Sequence, residues 1–132
     1  MPTAKGTFDV ALVMLPVENM TDADMIQRRS IDKKFHGALE GSSKGQMLSI
    51  GTTTAGSAVY VAVERVEGTL DGKAGAFSLH HTGIVNRGTP SLAVTVVPDS
   101  GTGDLTGITG TLAIDIEEKQ HCYTLDYALP SS

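Results

Sequence analysis

The chain has 132 residues, of which 40% are hydrophobic and 19% charged, and its formal net charge is −5. This length and balance indicate one globular domain over residues 1–132. An acidic chain with no Trp and only six Phe and Tyr in all lacks the basic, aromatic surface of a nucleic-acid-binding protein, so no nucleic-acid partner is predicted.

The sequence also contains little that would direct the chain to a membrane or an oxidising compartment. No stretch approaches the ~20 apolar residues that span a bilayer, and the N-terminus lacks an apolar export signal. Cys122 is the single cysteine, which rules out an intramolecular disulfide and fits a reducing compartment. We therefore expect a cytoplasmic protein with no membrane partner.

Short runs of β-branched and apolar residues, separated by turn residues, follow one another along the chain. Pro16 ends the first run, and the polar residues 18–24 allow at most one helical turn. No amphipathic helix of about 12 residues is apparent. The predicted strands are, in chain order, 7–15, 26–40, 46–54, 58–70, 73–85, 91–97, 110–118 and 120–129.

Tight turns between these strands favour an up-and-down arrangement. Asp71-Gly72 is the strongest hairpin signal, residues 41–45 are a predicted turn, and the glycine-rich residues 98–107 are a predicted bulged corner. Closing the sheet removes both exposed edges, and eight strands enclose just enough space for one small ligand. The sequence therefore predicts an all-β fold, an eight-stranded antiparallel closed barrel with short loops.

Several motifs in the second half of the chain resemble a known family. In order they are Gly68-Thr69-Leu70 with Gly72, Gly75-Ala76-Phe77, His81-Thr82-Gly83, Ser100-Gly101-Thr102-Gly103-Asp104-Leu105-Thr106-Gly107, and His121-x-Tyr123-x-Leu125-Asp126-Tyr127. They resemble a bacterial family of unknown function with an allene-oxide-cyclase-like β-barrel, over nearly the whole chain and most closely from Tyr60 to Tyr127. The resemblance implies a calycin-like antiparallel barrel that is often oligomeric. It does not imply cyclase activity.

Glu64 is the first candidate site residue. It shares strand parity with Tyr60, Ala62 and Val66, but the opposite parity is also mostly apolar, so alternation does not settle which set faces the lumen. A lumenal carboxylate would have a raised pKa unless a partner offset the effect, and it could act as a general base or hold a polar ligand group. The alternative is a structural Glu that is paired with a neighbouring strand.

Histidines and tyrosines supply the other candidates. His81 shares its face with Phe77 and Leu79, whereas His80 must point the other way, and the apolar parity of the last strand carries His121 and Tyr123. These residues could line a ligand pocket or belong to a polar, satisfied core. The candidate catalytic residues are Glu64, His81 and His121, and the predicted ligand-binding residues are Tyr60, Glu64, His81, His121 and Tyr123.

No metal or other cofactor is predicted. His81, His121 and Glu64 would form a two-histidine, one-carboxylate set, but no H-x-H or H-E-x-x-H spacing supports one. The loop at 98–107 lacks the Lys of a P-loop and is not followed by a helix.

The sequence is compatible with two functions. The first is a barrel that binds a small, partly apolar molecule in its interior, with acid/base isomerase-type chemistry as an extension. The second is a non-enzymatic structural or oligomeric interaction module with a filled core. Val59, Val61 and Val63 share the face opposite Tyr60, so one apolar face of this strand needs covering from outside, which predicts a homo-oligomer, a dimer or higher.

Overall fold

Eight antiparallel strands close into a barrel in the computed structural model, which describes residues 2–130. Around the barrel the neighbours are β1, β2, β3, β4, β5, β6, β8 and β9, which pairs again with β1. A two-residue strand, β7, pairs with β5 outside this ring. The predicted fold class is confirmed. The strands are β1 Thr3–Leu15, β2 Ile26–Gly37, β3 Leu39–Gly51, β4 Ala58–Leu70, β5 Lys73–Asn86, β6 Thr89–Val96, β7 Thr102–Gly103, β8 Thr109–Glu117 and β9 Gln120–Ala128.

Helical structure is limited to one 3₁₀ turn at Asp22–Asp24. The Asp24 carboxylate accepts a hydrogen bond from the Thr21 amide at 2.8 Å, which satisfies an amide at the start of the turn. Within residues 2–130, no helix has the length and apolar character needed to cross a membrane.

The predicted turn at Asp71-Gly72 joins β4 to β5. Both residues have positive φ, +49° and +84°, the combination that two-residue hairpin turns of type I′ require. Arg87-Gly88 and Glu118-Lys119 repeat this pattern between β5 and β6 and between β8 and β9. Local turn chemistry therefore fixes the register of three hairpins.

The predicted turn at residues 41–45 is wrong, because these residues lie within β3. The chain reverses earlier, at Gly37, where φ is +109°. Gly41 and Gly45 are required instead by close strand contact, since a Cβ atom on either would lie 2.1 Å from a carbonyl oxygen of β4. As a result Ser43 points into the barrel and is buried.

The two ends of the barrel differ. One end is filled by apolar side chains and covered by the loop around β7, whose Leu105 and the following Ile108 are buried. At the other end inward-facing aliphatic side chains remain accessible, with Leu12 49%, Leu92 43% and Ile116 63% exposed. The barrel is therefore a solid core at one end and an open mouth at the other.

Candidate functional site

The inward face of β4 carries the candidate carboxylate. Glu64 and Ala62 are buried and Tyr60 is half-buried, whereas the intervening valines are exposed on the outside. On β5, His81 is buried and His80 is exposed. The lumenal set therefore includes Tyr60, Glu64 and His81.

Glu64 is the centre of a buried polar cluster. Its Oε2 atom accepts hydrogen bonds from Lys33 Nζ at 2.8 Å and from His81 Nε2 at 2.5 Å, and its Oε1 atom accepts one from Ser43 Oγ at 2.8 Å. The four residues come from β2, β3, β4 and β5, which are neighbours around the wall. Gly45 pairs with Glu64 and leaves the room it needs, because a Cβ atom there would lie 2.7 Å from the Glu64 Cβ.

The cluster keeps the Glu64 carboxylate ionised. Burial alone would raise its pKa, but the hydrogen bond from His81 and the positive charge of Lys33 outweigh burial and lower the pKa to about 2. An ionised carboxylate can only accept hydrogen bonds, so the proton of a neutral His81 lies on Nε2. Within residues 2–130, Nδ1 of His81 then has no hydrogen-bond partner and carries an available lone pair.

A cavity of about 220 Å³ lies between this cluster and the open mouth. Its walls are mainly aliphatic and aromatic, with four residues that carry polar groups, Lys33, Tyr60, His81 and His121. This volume equals that of roughly seven liquid water molecules. A bicyclic aromatic compound is of about this size. The remaining lining residues are Phe8, Val10, Leu12, Ile31, Met47, Ala62, Leu92, Ile114 and Ile116.

Three lumenal side chains have polar groups free to meet a ligand. Within residues 2–130, neither the Tyr60 hydroxyl nor the His121 ring has a hydrogen-bond partner. Burial and the negative charge of Glu64 raise the pKa of Tyr60, so its hydroxyl is a donor at neutral pH. Lys33 Nζ donates one hydrogen bond to Glu64, and it lies 4.9 Å from the centre of the Phe8 ring.

Tyr123 lies outside the cavity lining. Its hydroxyl is within hydrogen-bonding distance of the Leu39 amide at 2.8 Å and of the His36 and Leu39 carbonyls at 3.0 and 3.1 Å. It therefore holds the β2–β3 corner, and burial raises its pKa. Of the five predicted ligand-binding residues, the structure brings Tyr60, His81 and His121 to the cavity, with Glu64 directly behind them.

Lys33 and Ser43 were missed as site residues. Lys33 had a visible signal, because it alternates with Ile31 and Phe35 on what is otherwise an apolar strand face. Ser43 had none, since the glycines on either side of it suggested a turn.

The cluster is poorly suited to a metal. Within residues 2–130, no three His, Cys, Asp or Glu side chains are arranged to hold one. Both Glu64 oxygens are taken by donors, and the Lys33 ammonium, 2.8 Å away, would repel a cation.

Comparisons with known proteins agree on the family. A family model described as "Protein of unknown function (DUF3224)" matches residues 4–127. A crystal structure of a DUF3224 protein of unknown function from Shewanella oneidensis MR-1 is similar to this chain, with 42% sequence identity and a TM-score of 0.93. The match covers 100% of this chain and 99% of the Shewanella chain. No curated protein matches.

Proposed function

Because the chain belongs to the DUF3224 family, whose function is unknown, we propose from the cavity itself that the barrel binds a small, partly apolar molecule in its open half. The observation that carries this proposal is an apolar cavity with unpaired polar groups in its wall. A few convergent polar groups in an apolar pocket are typical of ligand sites. Tyr60 and His121 are only half-buried, so their unpaired polar groups are accessible from the open mouth.

Filling the cavity is expected to abolish binding. Ala62 lines the cavity, whereas Val13 on β1, next to the cavity-lining Leu12, points outward. We expect Ala62→Phe to weaken binding of 2-naphthamide, a neutral bicyclic probe, by at least about tenfold, because the new ring occupies the space. Val13→Phe should leave the affinity unchanged. Fluorescence anisotropy of the naphthalene group measures both, and equal binding by the two variants would contradict the proposal.

We further propose that the His81–Glu64 pair transfers protons in an isomerase-type reaction. His81 Nδ1 would accept a proton from carbon next to a carbonyl group, and Glu64 would stabilise the imidazolium that forms. The Tyr60 hydroxyl or the Lys33 ammonium would donate a hydrogen bond to the developing enolate oxygen. Return of the same proton to another carbon would complete an isomerisation without a cofactor.

Deuterium exchange tests this chemistry without knowledge of the substrate. We expect the protein to accelerate α-hydrogen exchange of 2-tetralone, an enolisable bicyclic ketone, by about 100-fold over buffer. His81→Gln should remove the acceleration, because an amide cannot take up the proton. His80→Gln, which changes the adjacent exposed residue, should retain it. NMR follows the exchange, and equal rates with and without protein would overturn the catalytic part of the proposal.

Oligomerisation is a second proposal, carried by the outside of the barrel. Six aliphatic side chains on β3, β4 and β5 form one aliphatic outer face, and each is between 38% and 61% exposed. Cross-strand pairing makes them contiguous, as in Ile50–Val59–Ile84. They are Leu48, Ile50, Val59, Val61, Val63 and Ile84.

We propose that a second copy covers this face. Two sheets pack through apolar faces about 10 Å apart, and a two-fold axis near Val61 would place the same aliphatic face against itself. None of the six residues is charged, so contact here avoids the repulsion expected between two chains of net charge −5.

Light scattering after size exclusion should give at least twice the chain mass of 13.8 kDa. Val63→Lys should yield monomers, because it would bury a charge in the contact. Val13→Lys, at an equally exposed valine on β1, should not. A wild-type monomer would contradict the proposal.

We also propose a barrel type and a cellular location for this protein. The first is that the barrel is allene-oxide-cyclase-like and calycin-like, which rests on the motifs between Tyr60 and Tyr127. The second is a cytoplasmic location, which rests on the single cysteine.

A further inference from the structure

Around the cavity, hydrogen-bond donors and basic groups outnumber carboxylates. Glu64 is the one carboxylate that faces inward near the cavity within residues 2–130, and Lys33, His81 and Ser43 already occupy it. The groups left over are donors or bases. A cationic ligand would therefore find no free carboxylate, whereas an anionic group would find several donors.

Lys33 and His121 flank the same aromatic ring. Lys33 Nζ lies 4.9 Å from the centre of the Phe8 ring, and the His121 ring centre lies 5.1 Å from it. Lys33 is 9% exposed and His121 is half-buried, and both line the cavity. Two nitrogen-bearing side chains are thus held beside one apolar wall with hydrogen-bonding capacity to spare.

A further cationic group stands nearer the mouth. Arg29 pairs with Met47, and side chains of paired residues point to the same face of a sheet, so Arg29 is directed toward the lumen that Met47 lines. Its Nη2 atom donates to Gln27 Oε1 at 3.0 Å, and among residues 2–130 it has no carboxylate partner. It would attract an anion to the opening of a protein that is acidic overall.

We propose that the natural ligand is a compact apolar molecule with one anionic oxygen group, and that this group binds on the lumenal side of the Phe8 ring, where Lys33 and His121 lie on either side of it. This inference rests on the proposed binding function and specifies its ligand class. The apolar part of the ligand would lie against Ala62, Leu92 and Ile114. Charge-assisted hydrogen bonds are shorter and stronger than those between neutral groups.

A pair of isosteric probes tests this assignment. We expect 2-naphthoate to bind at least about tenfold more tightly than 2-naphthamide, which has nearly the same shape but no charge. His121→Phe keeps an aromatic ring beside Phe8 and removes the donor, so it should weaken 2-naphthoate binding while leaving 2-naphthamide unchanged. His121→Gln restores a donor and should recover part of the preference, whereas His121→Leu, which also lacks a donor, replaces His121→Phe if that variant fails to fold.

The possible outcomes distinguish failure of the anionic ligand class from failure of the binding function. Equal affinity for both probes, or tighter binding of 2-naphthylmethylammonium, would overturn the anionic ligand class and leave the binding function standing. If none of the three probes binds, the binding function fails and the ligand class fails with it. An unchanged preference for 2-naphthoate in His121→Phe would overturn the placement of the anion beside His121.

Discussion

Glu64→Leu is expected to lower the free energy of unfolding by about 3–5 kcal/mol. The change leaves the buried Lys33 ammonium without its carboxylate, and it removes the acceptor of the Ser43 hydroxyl and the His81 ring. Removing the partner of a buried charge costs far more than losing a surface ion pair, because within residues 2–130 no other inward-facing carboxylate near the cavity replaces the lost partner. Urea denaturation at neutral pH measures the effect.

Two further variants make this result specific. Lys33→Met combined with Glu64→Leu should recover most of the lost stability, because no unpaired charge then remains. Glu67→Leu, at an exposed position on the same strand, should change stability by less than about 0.5 kcal/mol. A loss below about 1 kcal/mol in Glu64→Leu, or no recovery in the double variant, would show that the pairing of Lys33 with Glu64 does not determine the stability of this cluster.

Acid is expected to destabilise the wild-type protein through the same carboxylate. The folded protein holds the Glu64 pKa at about 2, against an ordinary value of 4.5. A carboxyl with a lowered folded pKa contributes stability that is present above 4.5 and is lost as pH falls toward 2. The difference between the two pKa values corresponds to about 3 kcal/mol.

Comparison with Glu64→Gln isolates this contribution, because the other carboxyl groups titrate alike in both proteins. The stability advantage of the wild type over Glu64→Gln should shrink by about 2–3 kcal/mol between pH 6 and pH 2.5. Free energies of unfolding from urea titrations at the two pH values give the change. An advantage that stays constant would mean that the Glu64 pKa is not lowered in the folded state.

Much of the fold was predictable because its signals are local. The predicted strand 58–70 coincides with β4, since Gly56-Ser57 and Asp71-Gly72 mark both of its ends. The corner between β2 and β3 was misplaced because glycine serves two purposes in this barrel. At Gly37 it permits positive φ, whereas at Gly41 and Gly45 it permits close strand contact, and composition does not distinguish the two.

The site was only partly predictable, because its contacts are not local. Lys33 and Glu64 are 31 positions apart, and only the pairing of β2, β3 and β4 brings them together. The sequence did not show whether Tyr60 and Glu64 point into or out of the barrel, because the outer side of β4 carries valines that no part of residues 2–130 covers. Alternation identifies an inner face only where the outer face is polar.

We propose above all that the open half of the barrel is a binding cavity. The most direct measurement is a crystal structure of the protein grown with saturating 2-naphthoate. We predict density for the probe inside the lumen, with its rings against Ala62 and its carboxylate on the lumenal side of Phe8, beside Lys33 and His121. A lumen that contains only water, or one closed by its own side chains, would contradict the account.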